Sequence, residues 1–252
     1  MTKTMTVLAV AIGVSLGSAS SVSAQTGQSA QAGQSPALPP EYFINVNVGA
    51  QQQRRTVTAP KSFRLYDEDA KLTTNYHIRN GVMYEIAVGK HVWRNLTLGV
   101  SFSAFDKSGT GDTDAIIPNP LFYDRPIEDR RALGSLAHRE RAVHVMAAWW
   151  LPVTDKIDVS IAVGPSFIRV SQGVAKAANV VPQTQTIASF AVETQSGTAV
   201  GFNAGFDGTY MFTRRYGAGL FVRYAGGTVD LTDLPGLRVG GVQAGLGIRV
   251  RF

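Results

Sequence analysis

The chain has 252 residues, 44% of them hydrophobic, with Gly 26, Cys 0 and a formal net charge of +6. One or two domains fit that length, and outside the N-terminus no apolar run reaches the roughly 18 residues of a membrane helix, so a helical span is excluded. The positive balance suits a solvated surface or attraction to phosphates of lipid head groups, whereas the lack of a basic stripe with interleaved aromatics excludes a nucleic-acid partner.

Residues 1–24 read as a secretory signal peptide. Lys3 supplies the positive start, Val7 to Gly17 the apolar stretch, and Val22-Ser23-Ala24 a small-x-small cleavage site. Residues 25–40 are Gln, Gly, Ser, Ala and Pro, too polar to form a core, and are expected to be a flexible leader.

From residue 41 to 252, alternation of apolar and polar residues predicts eight strands. The first is Tyr42–Gln52, with Ile44, Val46 and Val48 on one face and Asn45 and Asn47 between them. A long polar loop, Gln53–Asn75, follows. The second strand, Tyr76–Lys90, sets Val82, Tyr84, Ile86 and Val88 against Glu85. A short link leads to the third, Leu96–Phe105. The longest insertion, Asp106–His138, is rich in Gly, Asp, Pro and charge, with a short helix predicted over Asp129–Ala137.

The fourth strand, Arg139–Pro152, turns Val143, Val145, Ala147, Trp149 and Leu151 outward. Thr154-Asp155-Lys156 makes a tight turn into the fifth, Ile157–Ser171. Residues Gln172–Ser196 form a third long loop, in which Ile187–Glu193 is expected to be a hairpin arm. The sixth strand is Gly197–Phe212 and the seventh Tyr216–Asp230, joined by Thr213–Arg215. After Leu231–Gly236, the eighth is Leu237–Phe252. There Val242, Ala244, Leu246, Ile248, Val250 and Phe252 alternate with Gly, Gln and Arg.

The gaps run long, short, long, short, long, short, medium. With the N-terminus on the periplasmic side, every short gap falls on that face and every longer one outside. A closed sheet also satisfies its backbone polar groups in hydrocarbon without an edge. Trp149, Leu151, Tyr210, Phe212, Tyr216 and Phe252 are predicted to gather as an aromatic belt near the periplasmic rim. A soluble sandwich or lipocalin-like barrel shares the alternation but not the one-sided loops.

The signal peptide, the alternation and the terminal strand resemble bacterial eight-stranded outer-membrane β-barrels of the OmpA-like, OmpX-like or opacity type. The resemblance implies an all-β, eight-stranded antiparallel up-and-down transmembrane β-barrel with both termini periplasmic, exported by the general secretory pathway. It implies that Phe252, Val250 and Ile248 form the signal read by the barrel-assembly machinery, with periplasmic chaperones as further partners. Unlike full OmpA-like proteins, the chain is expected to carry no peptidoglycan-binding domain after the barrel. Members of such families act as structural anchors, adhesins, serum-resistance factors or small pores, and a few modify lipids.

An eight-stranded barrel is just wide enough inside for side chains to fill it. Its predicted inner polar network is Glu85, His144, Asn203, Asp207, Arg223 and Arg249, with Asn45, Asn47, Ser160 and Gln243 on the same face. Buried charges must pair, so Glu85 and Arg223, both near mid-height, are expected to share one network. Arg54, Arg55, Lys61 and Arg64 crowd the first outer loop and could hold lipopolysaccharide phosphates through arginine forks. Asp112 and Asp114 with Gly109 and Gly111 make only a poor calcium loop.

Lipid A deacylases place a His two residues before a Ser on one strand. None of His77, His91, His138 and His144 has such a Ser, although His138 and His144 flank the outer start of the fourth strand, where a lipid-facing site is conceivable. The expected role is structural or surface interaction through the long loops, by a monomer in contact with outer-membrane lipids and lipopolysaccharide. A narrow pore is the alternative, and a lipid A-modifying hydrolase or acyltransferase the second alternative. No catalytic residue, cofactor or metal is assigned.

Overall fold

The computed structural model describes residues 41–184 and 186–252. The expected signal peptide and leader therefore lie outside the described residues. Ten strands follow one another: β1 (Tyr42–Gln52), β2 (Arg55–Leu65), β3 (Glu68–Ile78), β4 (Gly81–Trp93), β5 (Leu96–Ile117), β6 (Ile127–Pro152), β7 (Ile157–Val181), β8 (Thr186–Met211), β9 (Tyr216–Leu231) and β10 (Leu234–Arg251).

The sheet runs β2-β3-β5-β4-β1-β10-β9-β8-β7-β6, and pairing of β5 with β6 closes it through eight strands. All pairings are antiparallel. The first and last ring strands meet from Phe43 with Arg251 to Gln52 with Val242. Phe252 completes that seam: its N–H donates to the Tyr42 carbonyl at 3.0 Å. The β2–β3 hairpin stands outside the ring. It continues β1 and β4 outward after breaks at residues 53–54 and 79–80, and pairs with β5 over Lys71–His77.

The expected long loops are thus corrected: they are mostly strand. Residues Gln53–Asn75 contain β2 and most of β3, closed by Tyr66-Asp67 at positive φ of 51° and 62°. Such a two-residue turn matches the twist of a hairpin. Residues Gln172–Ser196 continue β7 and β8, and Ile187–Glu193 is paired to β7. The predicted helix over Asp129–Ala137 is strand. Ala115 faces Asp129, Asp112 faces Ala132 and Ser108 faces Ala137 across the β5–β6 pair. Helix propensity in Arg-Arg-Ala-Leu is worth tenths of a kcal/mol per residue, which the adjacent β5 edge and the burial of Leu136 outweigh.

β6 and β8 are each 26 residues long, where about nine to eleven suffice to cross a bilayer. Their lower halves carry apolar residues outward. Val143, Val145 and Trp149 on β6, and Val200, Phe202, Phe206 and Tyr210 on β8, are all exposed. Their outer halves carry polar residues outward and close a second, apolar interior. Tyr210 and Phe212 meet edge to face at 5.5 Å beside Tyr216, on the same rim as Trp149, Leu151 and Phe252. This is the rim of the short turns, at residues 94–95, 153–156 and 212–215.

Candidate functional site

The inner face of a strand pair is set by parity, so lumen residues stack in layers. Nearest the short-turn rim, Arg251 donates to Asp158 at 2.5 Å and lies 4.4 Å over the Trp150 ring. Above it, Arg249 donates to Asp207 at 3.1 and 2.5 Å and to Asn47 at 2.6 Å. Higher still, Arg223 is ion-paired with Glu85 and donates to Gln243 at 2.9 and 2.7 Å. Asn47 donates to Glu85 at 3.5 Å, which ties these two layers together.

His144 hydrogen-bonds Ser103 at 3.0 Å and Ser166 at 2.7 Å. Asn203 donates to the same Ser166 at 3.0 Å and to the carbonyls of Gly164 and Pro165. Glu85, Asp207, Arg223 and Arg249 therefore lie in one connected set, and His144 and Asn203 in a neighbouring one.

A further layer centres on Glu140, which lies inside the predicted fourth strand but outside the predicted inner network. Glu140 is 4% exposed and collects donors from four directions. Gln51 donates at 2.7 Å, Gln53 also donates, and His138 lies at 3.0 Å. The Gly240 N–H reaches both carboxylate oxygens at 3.1 Å. His138 in turn meets Gln172 at 2.6 Å. Glu140, within the expected fourth strand, shares the even parity of His144, and His138 carries the same inward face one residue past that strand's expected start at Arg139.

That parity also corrects the lipid-facing site considered for His138 and His144. Their exposures are 1% and 0%, and Val143 and Val145 take the outward positions between and beside them. A buried His between two serines, walled in by strands, offers no route for a lipid ester.

Above Glu140 the lumen turns apolar. Tyr76, Leu136, Ile168, Val174, Leu237 and Val239 belong to one packed cluster, and Leu72, Ile117, Ala175 and Ile187 to another farther out. The Tyr76 hydroxyl is held there by the Ala175 N–H at 2.8 Å. Below, between Asn45, Glu85, Asp207 and Arg223, a cavity of about 70 Å³ remains, enough for roughly five waters at the minimum volume per water.

The first outer cluster is divided by the structure. Arg54 is exposed and, with Arg55, His77 and Arg79, lines a surface pocket of about 580 Å³. Arg55 donates to the Gly240 carbonyl at 2.5 Å. Lys61 is paired with Asp233 at 2.8 Å, and Arg64 donates to the Asp67 carbonyl at 2.7 Å. Asp112 and Asp114 point outward to His77 at 3.0 Å and Arg130 at 3.1 Å; no metal-holding group of His, Asp and Glu occurs among the described residues. In the terminal motif, Ile248 and Phe252 are exposed and Val250 half-buried along the outer face of β10.

A closed antiparallel barrel with an apolar outer belt, a polar-packed lumen and one-sided hairpins defines the class. No protein-family model matches the sequence, and no curated protein matches it. Among solved structures, Neisserial surface protein A is similar at 12% identity over 84% of this chain and 96% of that one, with a TM-score of 0.45. The outer-membrane protein OprG from Pseudomonas aeruginosa is similar at 10% identity over 85% and 97%, with a TM-score of 0.46. Ail, the attachment invasion locus protein of Yersinia pestis, solved with the heparin analogue sucrose octasulfate, is similar at 11% identity over 83% and 99%, with a TM-score of 0.38.

Proposed function

We propose that the chain is an integral outer-membrane barrel with both termini periplasmic, whose lumen is a rigid plug and whose extended hairpins act at the cell surface. The observation that carries this reading is the filling of the lumen. Paired charges occupy the lower half, and two apolar clusters close the upper half. An ion entering from the short-turn side would have to leave water and cross packed Leu, Ile and Val. Burial of an unpaired charge there is opposed by many kcal/mol.

The outer tips support a role in contact. Residues 118–126 (Pro-Asn-Pro-Leu-Phe-Tyr-Asp-Arg-Pro) cap the β5–β6 hairpin. Asn119 accepts the N–H groups of Leu121 and Phe122 at 2.9 and 3.3 Å. The tip so fixed exposes Leu121, Phe122 and Tyr123, the last at 83%, and Arg125 lies 6.0 Å over the Phe122 ring. Rigid aromatic groups beside arginine are the residue types that dominate protein contacts. Folding is assigned to the barrel-assembly machinery, with Phe252, Ile248 and Val250 as the strand it reads, and the working state is a monomer.

Planar-bilayer recording tests the plug. The purified chain is expected to give no large, stable conductance steps. Steady steps that persist at low voltage would replace the plug by the pore. A change in the lipid A mass profile on expression would instead require an enzyme.

A further inference from the structure

Where the apolar belt ends on β5, β6 and β7, the outward face becomes cationic within one step. Val143 is paired with Phe102 on one side and Phe167 on the other, all three exposed. Two residues farther along the same strands, Arg141 is paired directly with Arg169. Two residues of strand are roughly 7 Å, about the distance from an acyl chain's first carbons to its head group. Arg139 lies two residues beyond Arg141, opposite Asp106, and Lys107 follows Asp106 on β5.

These cations outnumber their acidic partners. Asp106 alone serves Arg141 at 2.7 Å and Arg139 at 3.5 Å. Arg141 also donates to the carbonyls of Phe105 at 3.2 Å and Glu140 at 3.1 Å, which anchors its guanidinium against the wall. Like charges directly opposite across two strands destabilise the pair; Asp106 is shared between Arg141 and Arg139, so Arg169 has no acidic partner among the described residues. Beside it, a groove of about 330 Å³ is lined by Asp106, Lys107, Ser108, Arg139 and Arg141.

We infer that this step is a binding site for a phosphorylated lipid of the outer leaflet. One phosphate bridges Arg141 and Arg169, a second group of the same head lies toward Arg139 and Lys107, and the acyl chains run down over Phe102, Val143 and Phe167. Guanidinium forks match phosphate oxygens in geometry and charge. The inference rests on the membrane reading above but uses residues other than the Arg54, Arg55, Lys61 and Arg64 group, two of whose members are bound to Asp233 and to a turn carbonyl.

The test is lipid retention by native mass spectrometry. The full chain is refolded into phosphatidylcholine nanodiscs doped with bisphosphorylated lipid A or with the same lipid dephosphorylated. Wild type should retain the phosphorylated lipid selectively. Arg141→Gln with Arg169→Gln should lose about tenfold per arginine, the scale of one charge-assisted hydrogen bond, while Arg214→Gln, in a short turn on the opposite rim, should retain it unchanged. Equal retention of the dephosphorylated lipid, or by the double variant, would overturn the site. Displacement by millimolar inorganic phosphate would assign it to a free anion and overturn the lipid. If wild type fails to enter the discs at all, the barrel reading itself falls; if it enters and retains lipid regardless of phosphate, only this site does.

Discussion

Replacing Arg223 by Met should cost the folded barrel about 3–5 kcal/mol, because Glu85 would be left charged and alone in the lumen. Glu85 and Arg223 are 7% and 6% exposed, so water offers little compensation to either. The pair reaches across from β4 to β9, and Gln243 and Asn47 complete its hydrogen bonding. The companion variant, Glu85→Leu with Arg223→Met, should recover much of the loss, since both charges then leave together. Urea unfolding in detergent micelles, followed by tryptophan fluorescence, reads the difference. Equal loss in the single and double variants, or a loss under about 1 kcal/mol in both, would mean that the pair is solvated rather than a lumen brace.

Glu140→Leu should be comparably severe. It would strand the donors of Gln51, Gln53 and the Gly240 N–H at once, and each unsatisfied buried group costs about 1–3 kcal/mol. The last of these matters most. β10 twists out of regular extension at Gly240, where φ is +77°, and the N–H turns to the Glu140 carboxylate. An added Cβ there would also run into the Ala225 carbonyl. Gly240→Ala should therefore cost about 1–3 kcal/mol through the backbone. Glu140→Leu should expose the Gly240 amide to exchange even at temperatures where the barrel stays folded. An unchanged exchange rate at Gly240 would show that the carboxylate does not hold this joint.

The belt and the lumen were legible in the sequence for one reason: lipid and side-chain packing each demand a period of two. Leu220, Val222 and Tyr224 alternate with Phe221 and Arg223, so parity alone places Arg223 inside. The outer hairpins were illegible because water faces their outer side. Asp112, Asp114 and Arg130 alternate with Thr113, Leu133 and Leu136 only weakly, and the glycines read as loop. Their strand character comes from the pairing of β3 with β5, β5 with β6 and β7 with β8, contacts absent from any local window. The cation cluster in the first outer loop shows a different limit. Composition collects Arg54, Arg55, Lys61 and Arg64 together, but only geometry shows Lys61 bound to Asp233 and Arg64 closing a turn. Conversely, Arg141 and Arg169 are 28 positions apart in the chain and become neighbours only through strand register.

The account stands on hydrocarbon touching the outer face of the ring. The chain has Cys 0, so single cysteines at Leu220, Phe221 and Val222 can each carry a spin label in bilayers without background. Labels at Leu220 and Val222 should relax strongly with dissolved oxygen and hardly with a water-soluble nickel chelate, while the label at Phe221 should respond weakly to both. Strong nickel relaxation at Leu220 and Val222, in a protein folded without lipid, would place water where the account requires acyl chains.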